Sequence, residues 1–433
     1  MHFYLPVPKT KSVSLLKRLG GPGSSADSGV VQGLTDATAH RERMRQLLKS
    51  AHEQPATADF AKVVAVIEDY LPHLFWCVRY EDTLAPSKTA IATIRRGRSS
   101  DDDALFVWKS PLCTGLGDGT KFTTMAHRLR RGHFASDSLA FELGGTLMAY
   151  GLALASWAFR QVQHLSMVGQ TQQLPDHDTQ RYKQAMHHLC QAAGVYDYIL
   201  RNVAPKLAES SAANSQGQSN PRPPELTSEM LQILSRLAMA DAQRIAIRLS
   251  MAQNRSPSLM AKLLLGVGEE YDAIFGLFQT MPSQDHRDMT AELRRYLKDH
   301  RIYFQACAQR YLAMDAHQHD LDGVALGFVD QARIGMQTLR AKDRTPIVHE
   351  ATLLLAELDQ ERATYDKLNR TVTFDPVPSP AELNQRTPSG RTLMEMTVFT
   401  PPALRNSQSA LPSPTDATES SHGQQYALQH AYY

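Results

Sequence analysis

The sequence is poor in cysteine and carries almost no net charge. Its 433 residues include only four cysteines, Cys77, Cys113, Cys190 and Cys307, which lie far apart and form no C-x-x-C pair. This spacing excludes a dense disulfide framework and a zinc knuckle, and it is typical of reduced cytosolic thiols. A formal net charge of +2 gives no strong attraction to nucleic acid, so we expect no nucleic-acid partner.

The sequence also lacks a clear signal peptide or membrane span. Its first residues contain no charged region followed by an apolar run, which argues against a secretory signal. The most apolar stretch, residues 143–159, is short, is interrupted by Gly144, Gly145 and Gly151, and is followed by Arg160. We therefore predict a buried central helix there rather than a membrane span.

Motifs that carry chemistry are missing as well. There is no G-x-S-x-G elbow, and Gly115–Lys121 does not have the spacing of a phosphate loop. Residues 315–322 contain His317, His319 and three carboxylates, a set that can ligate a metal ion. Because these residues lie at a turn between two predicted helices, the carboxylates are better explained as acidic residues that stabilise a helix start. We predict no enzymatic activity, no metal and no cofactor.

Hydrophobic periodicity predicts a mostly α-helical protein. Beyond Asp137, apolar residues recur at steps of three or four almost without interruption. The predicted helices span about 137–166, 177–202, 226–253, 257–281, 285–315, 321–341 and 346–368. Long antiparallel helices joined by short turns predict a tetratricopeptide-like solenoid core, although no strict repeat of about 34 residues is present.

The remaining segments are predicted to be less regular. Residues 19–36 and 210–224 are rich in small and polar residues, so we predict flexible segments there, with a helix starting near Asp36. A helical pattern from Ala58 to Leu71 should end or kink at Pro72. Residues 87–120 predict a long excursion that contains a minor β element. Residues 386–433 are polar and predict a disordered tail.

Six segments resemble, in the correct order, the BRO domain of Alix-type endosomal adaptors. They are Phe106–Leu112, Phe141–Leu143, Ala192–Tyr196, Ala240–Gln243, Pro257–Leu263 and the closing segment Lys367–Pro378. The resemblance covers roughly residues 1–385. It implies a boomerang-shaped, mostly α BRO domain with a helical solenoid core, followed by the tail.

Two segments, Asp69–Phe75 and Thr371–Pro378, are most similar to the fungal pH-response members of this family. The resemblance implies a non-enzymatic cytoplasmic scaffold of alkaline ambient-pH signalling, recruited to the plasma-membrane cortex or to endosomes. Such a scaffold binds the ESCRT-III filament subunit and supports proteolytic activation of the PacC transcription factor. The alternative is a general endosomal-sorting BRO adaptor without a pH role. Peripheral membrane association stays open, since no cationic amphipathic stripe demands it.

The resemblance further implies a groove for the C-terminal amphipathic helix of the ESCRT-III subunit. Its groove residues correspond to Leu259 and Leu263, with Lys183 as a charge partner. Ala246 stands where Alix has an aromatic anchor, and Ile247 is a partial replacement. Both leucines also belong to an ordinary core stripe that continues through Val267, Tyr271, Ile274 and Phe278, so both interpretations remain open.

Overall fold

A computed structural model shows a mostly α-helical protein with a small sheet, as predicted. The structure describes residues 5–19, 28–84, 106–112, 132–163, 175–213, 223–280, 291–340 and 347–403. The Gly115–Lys121 segment, most of the predicted excursion and residues 404–433 lie outside these ranges.

The sheet has three antiparallel strands, in the order β1 (Lys9–Thr10), β2 (Phe106–Lys109) and β3 (His133–Ser136). Side chains alternate between its two faces, and Phe106 and Trp108 of β2 point into the core. The minor β element predicted from the aromatic segment is therefore present.

In the described part of the chain, three helices lie between β1 and β2: α1 (Leu15–Leu19), α2 (Ser28–Glu53) and α3 (Phe60–Leu84). Two expectations are corrected here. Helix α2 starts at Ser28 rather than near Asp36, because Val30 and Leu34 already belong to its buried face. Pro72 does not end α3, because the apolar residues around it are buried in the core and keep the helix in place.

A buried ion pair joins these elements. Arg41 of α2 binds Glu142 through two contacts, Nε to Oε1 at 2.8 Å and Nη2 to Oε2 at 3.1 Å. The Trp108 indole N–H donates to the same carboxylate at 2.8 Å, and the Tyr70 hydroxyl donates to it at 3.4 Å. Since both charges are fully buried, these hydrogen bonds compensate the loss of hydration.

Most of the rest of the described chain is a consecutive array of helices. They are α4 (Leu139–Gln161), α5 (Asp176–Tyr198), α6 (Ala204–Ala213), α7 (Ser228–Ala252), α8 (Pro257–Thr280), α9 (Ala291–Gln318), α10 (Asp322–Arg340), α11 (Ile347–Leu368) and α12 (Pro380–Arg386). From α7 to α11 each helix packs on the next, and α5 packs on both α4 and α7. Where the predicted long helices are described, their positions agree within a few residues.

Helix α4 lies in the middle of the fold. It is long and apolar enough to cross a membrane by composition, but most of it is buried inside the protein, in agreement with the predicted central helix. Of the predicted flexible segment 210–224, residues up to Ala213 belong to α6, and a short 3-10 turn follows at Pro224–Leu226.

Candidate partner-binding surface

The five predicted groove residues lie on three neighbouring helices. Lys183 is exposed on α5, Ala246 and Ile247 are on α7, and Leu259 and Leu263 are on α8. Helix α7 lies between the other two, so the structure brings the three segments together.

Their side chains differ in accessibility. Leu263 and Ile247 have no exposed surface and Ala246 is 7% exposed, whereas Leu259 is only partly buried. The core interpretation of the α8 stripe is therefore correct for Leu263, which packs with the stripe's other buried members. A docking helix can contact Leu259 and Lys183 directly, but it cannot contact Leu263 or Ile247 in this conformation.

A segment of the predicted tail, residues 386–433, crosses the same helices. Residues 390–399, named the strap here, belong to no helix or strand and cross α8, α7 and α5. The Arg391 N–H donates to the Lys262 carbonyl of α8 at 2.8 Å, and the Thr397 N–H donates to the Cys190 carbonyl of α5 at 3.2 Å. The ordered fold thus continues to residue 403, beyond the predicted boundary at residue 385.

Gln243 of α7 holds the middle of the strap. Its side-chain nitrogen donates to the Arg391 carbonyl at 3.1 Å, and its side-chain oxygen accepts from the Leu393 N–H at 2.8 Å. Gln243 is almost fully buried. The Gln243 amide pairs with a backbone carbonyl and a backbone N–H of the strap. These two contacts therefore do not depend on which side chains the strap carries.

Two glycines allow the strap to approach the helices this closely. A Cβ atom on Gly266 would lie 2.5 Å from the Arg391 carbonyl oxygen, and a Cβ atom on Gly194 would overlap the carbonyl oxygen of Thr397. The carbonyls of Lys262 and Cys190 accept the hydrogen bonds from the strap. Gly266 lies four residues after Lys262, and Gly194 lies four residues after Cys190. The absence of a side chain therefore opens each helix surface at its strap contact.

Apolar side chains complete the attachment. Met394 and Met396 point inward and pack against the core clusters, while Leu393 between Thr392 and Met394 is 45% exposed. Phe399 packs its ring against Tyr198 with centroids 5.0 Å apart, and it also contacts Phe75 and Tyr150. Burial of these side chains is the main reason that the strap stays on the helices.

Helix α7, the middle helix beneath the strap, is linked to α9 by buried polar groups. Arg244 of α7 donates to Asp241 at 2.7 Å and to the Tyr296 hydroxyl of α9 at 3.2 Å. Burial raises the pKa of Asp241, and the neighbouring Arg244 guanidinium opposes this change. The Arg244–Tyr296 hydrogen bond thus links α7 to α9.

The described cysteines are buried thiols rather than nucleophiles. Burial raises the pKa of Cys190 to about 11 and that of Cys77 and Cys307 to about 12. A thiol in such an environment is protonated and unreactive at neutral pH. All three described cysteines are free, and Cys113 lies outside the described residues.

The histidine and carboxylate segment at residues 315–322 forms the turn between α9 and α10. His317 Nδ1 lies 2.7 Å from Asp322 Oδ1, whereas the His319 ring contacts the backbone carbonyl of Asp315. In the part of the chain that the structure describes, no group of three or more His, Cys, Asp and Glu side chains is arranged to hold a metal ion. Asp322 is instead the first residue of α10, where the helix dipole favours an acidic side chain.

A turn with exposed apolar residues follows α11. Asn369 accepts from the Thr373 hydroxyl at 2.9 Å and from the Asp375 N–H at 2.8 Å. Phe374 between them has a φ of 53° and is 72% exposed. Thr373 thus has a local role in shaping this turn.

Comparison with known proteins identifies the fold and the family. The structure superposes on that of an ALIX BRO1 domain in complex with CHMP4C with a TM-score of 0.62 and 16% identity, over 92% of this chain and 96% of the other. A Bro1 domain studied for endosomal targeting matches with a TM-score of 0.62 and 13% identity, over 92% of both chains. At these identities the likeness concerns the fold.

Sequence relatives carry the comparison further. The pH-response regulator protein palC of Cryptococcus neoformans var. neoformans serotype D is 24% identical over 94% of this chain and 93% of its own length. The palC protein of Yarrowia lipolytica is 23% identical over 86% of this chain and 88% of its own. The BRO1-like domain model matches residues 116–417, which is well over half of the chain. This protein therefore belongs to the BRO1-like domain family.

Proposed function

We propose that this protein is a non-enzymatic adaptor of the alkaline pH response, which binds the C-terminal amphipathic helix of an ESCRT-III filament subunit. The observation that carries the proposal is similarity to two palC proteins over most of this chain and most of each relative. The CHMP4C complex of a protein with the same fold supports the choice of partner. Support for proteolytic activation of PacC is the downstream role that follows from this assignment.

The accessible part of the predicted groove suits an amphipathic helix. Leu259 is partly exposed near the start of α8, and the exposed Lys262 lies one turn further along the same face. Lys183 adds a second cation on α5. An apolar contact flanked by lysines complements a helix that has one apolar and one acidic side.

The strap contributes to this surface. Its Arg391 is bound at Lys262, one turn from Leu259, and its Leu393 is bound at Gln243, one turn from Ala246. The exposed side chain of Leu393 thus offers apolar area beside the position where Ala246 provides none. In this proposal Leu393 takes over part of the contact that an aromatic residue makes in Alix.

A peptide-binding measurement tests the proposal. A labelled peptide of the ESCRT-III subunit's last helix should bind the purified full chain in fluorescence anisotropy, and Leu259→Asp should weaken binding by at least about tenfold, since a central apolar contact is worth more than about 1.4 kcal/mol. Leu321→Asp is the matched control, because Leu321 is an exposed leucine at the turn before α10. Absence of binding at micromolar concentrations, or an equal effect of both substitutions, would contradict the assigned site.

A second experiment concerns the pathway. Deletion of the gene should impair growth and PacC processing at alkaline pH, and the protein should be recruited from the cytoplasm to the cell cortex or endosomes. Normal growth and processing, combined with retained peptide binding, would identify a general endosomal adaptor instead.

A further inference from the structure

The outer face of the sheet carries an unusual row of basic residues. In the strand register Lys109 of β2 lies directly opposite Lys9 of β1 on one side and opposite His133 of β3 on the other. Directly opposed residues in an antiparallel sheet have Cβ atoms roughly 5 Å apart, and like charges in such pairs are destabilising. The row is thus a local concentration of positive charge.

A fourth basic residue joins the row from helix α2. His52 Nδ1 lies 2.8 Å from the Val7 carbonyl oxygen, which can only accept, so this nitrogen carries the proton. The other ring nitrogen, Nε2, lies 3.4 Å from Lys109 Nζ. The imidazole is therefore held in one tautomer, with its unprotonated nitrogen facing the lysine.

Among the described residues, Lys9 of the row pairs with a carboxylate: Glu53 Oε1 lies 3.8 Å from Lys9 Nζ, and the Glu53 side chain is 48% exposed. Burial lowers the pKa of Lys109, and the charge of Lys9 lowers it further. Burial likewise lowers the pKa of His52, with Lys109 and Lys9 acting in the same direction despite the opposing Val7 hydrogen bond. The neighbouring lysines thus disfavour the charged forms of both Lys109 and His52.

We propose that Lys9, Lys109 and His52 bind a phosphate group on the outer face of the sheet. Two ammonium groups on adjacent strands can contact different oxygens of one compact tetrahedral anion. The anion adds negative charge beside the two lysines, and it allows His52 to take up a proton at Nε2 and donate it to a third oxygen. The same chemistry serves a free phosphate and a phosphorylated lipid headgroup.

Nuclear magnetic resonance of the His52 ring tests the site with inorganic phosphate as the probe. Phosphate should raise the pKa of His52, whereas sodium chloride at equal ionic strength should not. Lys109→Gln should abolish the phosphate-dependent change. Lys62→Gln, which removes an exposed lysine paired with Asp59 on α3, should leave the change intact.

Vesicles distinguish the two sources of the phosphate group. Binding to vesicles with a phosphatidylinositol phosphate, but not to phosphatidylserine vesicles of equal charge, together with its loss in Lys109→Gln, would assign a lipid headgroup. A response to inorganic phosphate without vesicle binding would assign a free phosphate ligand. The proposal is overturned if neither probe changes His52, or if Lys62→Gln and Lys109→Gln behave alike.

Discussion

Gly266 of α8 and Arg391 of the strap are so close that a single methyl group on the glycine would reach within 2.5 Å of the arginine's carbonyl oxygen. Real Cβ atoms do not occupy such positions, so a side chain at residue 266 requires the strap to move. The contact makes the strap's attachment testable by one substitution.

Gly266→Ala should release the strap around Arg391. Loss of the Arg391 N–H bond and of one Gln243 bond, each worth about 1 kcal/mol, should speed amide hydrogen exchange at Arg391 and Leu393 roughly 30-fold. Gly268→Ala is the matched control, since a Cβ atom there meets nothing within 4 Å and the gain in helix propensity is the same. Unchanged exchange in Gly266→Ala would show that the strap does not depend on this close approach.

Leu263 and Leu259 should behave differently although they are one turn apart. Leu263→Ala removes a fully buried side chain and should lower the free energy of unfolding by about 2–5 kcal/mol in urea denaturation. Leu259→Ala, at a partly exposed position, should lower it by less. If Leu263→Ala is as stable as the wild type but loses the ESCRT-III peptide, the conformation that binds the partner exposes Leu263.

Arg41→Ala should be strongly destabilising. It leaves the carboxylate of Glu142 buried without its cation, which costs about 3–5 kcal/mol in comparable buried pairs. Arg45→Ala breaks the more exposed pair with Glu42 on the same helix and should cost less than about 1 kcal/mol. Thermal unfolding of both variants measures the difference, and similar losses would argue against a central role for the buried pair.

Glu225 should make stability depend on pH. The Ser110 hydroxyl lies 2.6 Å from the buried carboxyl, and burial raises the pKa of Glu225 from 4.5 to about 7 although the Ser110 hydrogen bond opposes the shift. The folded protein therefore holds this proton at pH values where the unfolded chain has lost it. The stabilisation is complete below about pH 4.5 and is lost as pH rises through about 7, by roughly 3 kcal/mol.

Glu225→Gln isolates this contribution, because glutamine keeps a hydrogen-bond partner for Ser110 and cannot ionise. Urea unfolding of both proteins at about pH 5 and about pH 8 should show the variant gaining relative to the wild type at the higher pH. A difference that is the same at both values would mean that Glu225 does not titrate in this range.

Much of the helical core follows from local patterns. Stripes such as Leu263, Val267 and Tyr271 predict a helix and its buried face, because the apolar period of a helix is visible within one segment. The stripe does not say which neighbour covers each position, so the accessibility of Leu259 and Leu263 could not be separated. Of the two outcomes predicted at Pro72, an end or a kink, the end did not occur, because tertiary packing outweighs a local helix-breaking tendency.

The strap could not be predicted from local sequence patterns, for a different reason. Its contacts with Gln243 and Cys190 join residues about 150 or more positions apart, and an extended segment has no helical period. One signal was present: Met394, Met396 and Phe399 form an apolar run within an otherwise polar region. Gln243 looked like one polar residue among many until the backbone that it binds was in place.

The spacing between the strap's two outer anchors has a consequence for length. Arg391 and Thr397 are six positions apart, and at roughly 3.3 Å per residue an extended segment of that length spans about 20 Å, which is close to two interhelical distances of about 8–10 Å. The length of the strap between these anchors therefore matches the distance from α8 across α7 to α5. The exposed side chains of the strap can vary. Inserting or deleting one residue between Arg391 and Met394, however, would turn Met394 and Met396 outward and would misalign the two anchors with their helix carbonyls.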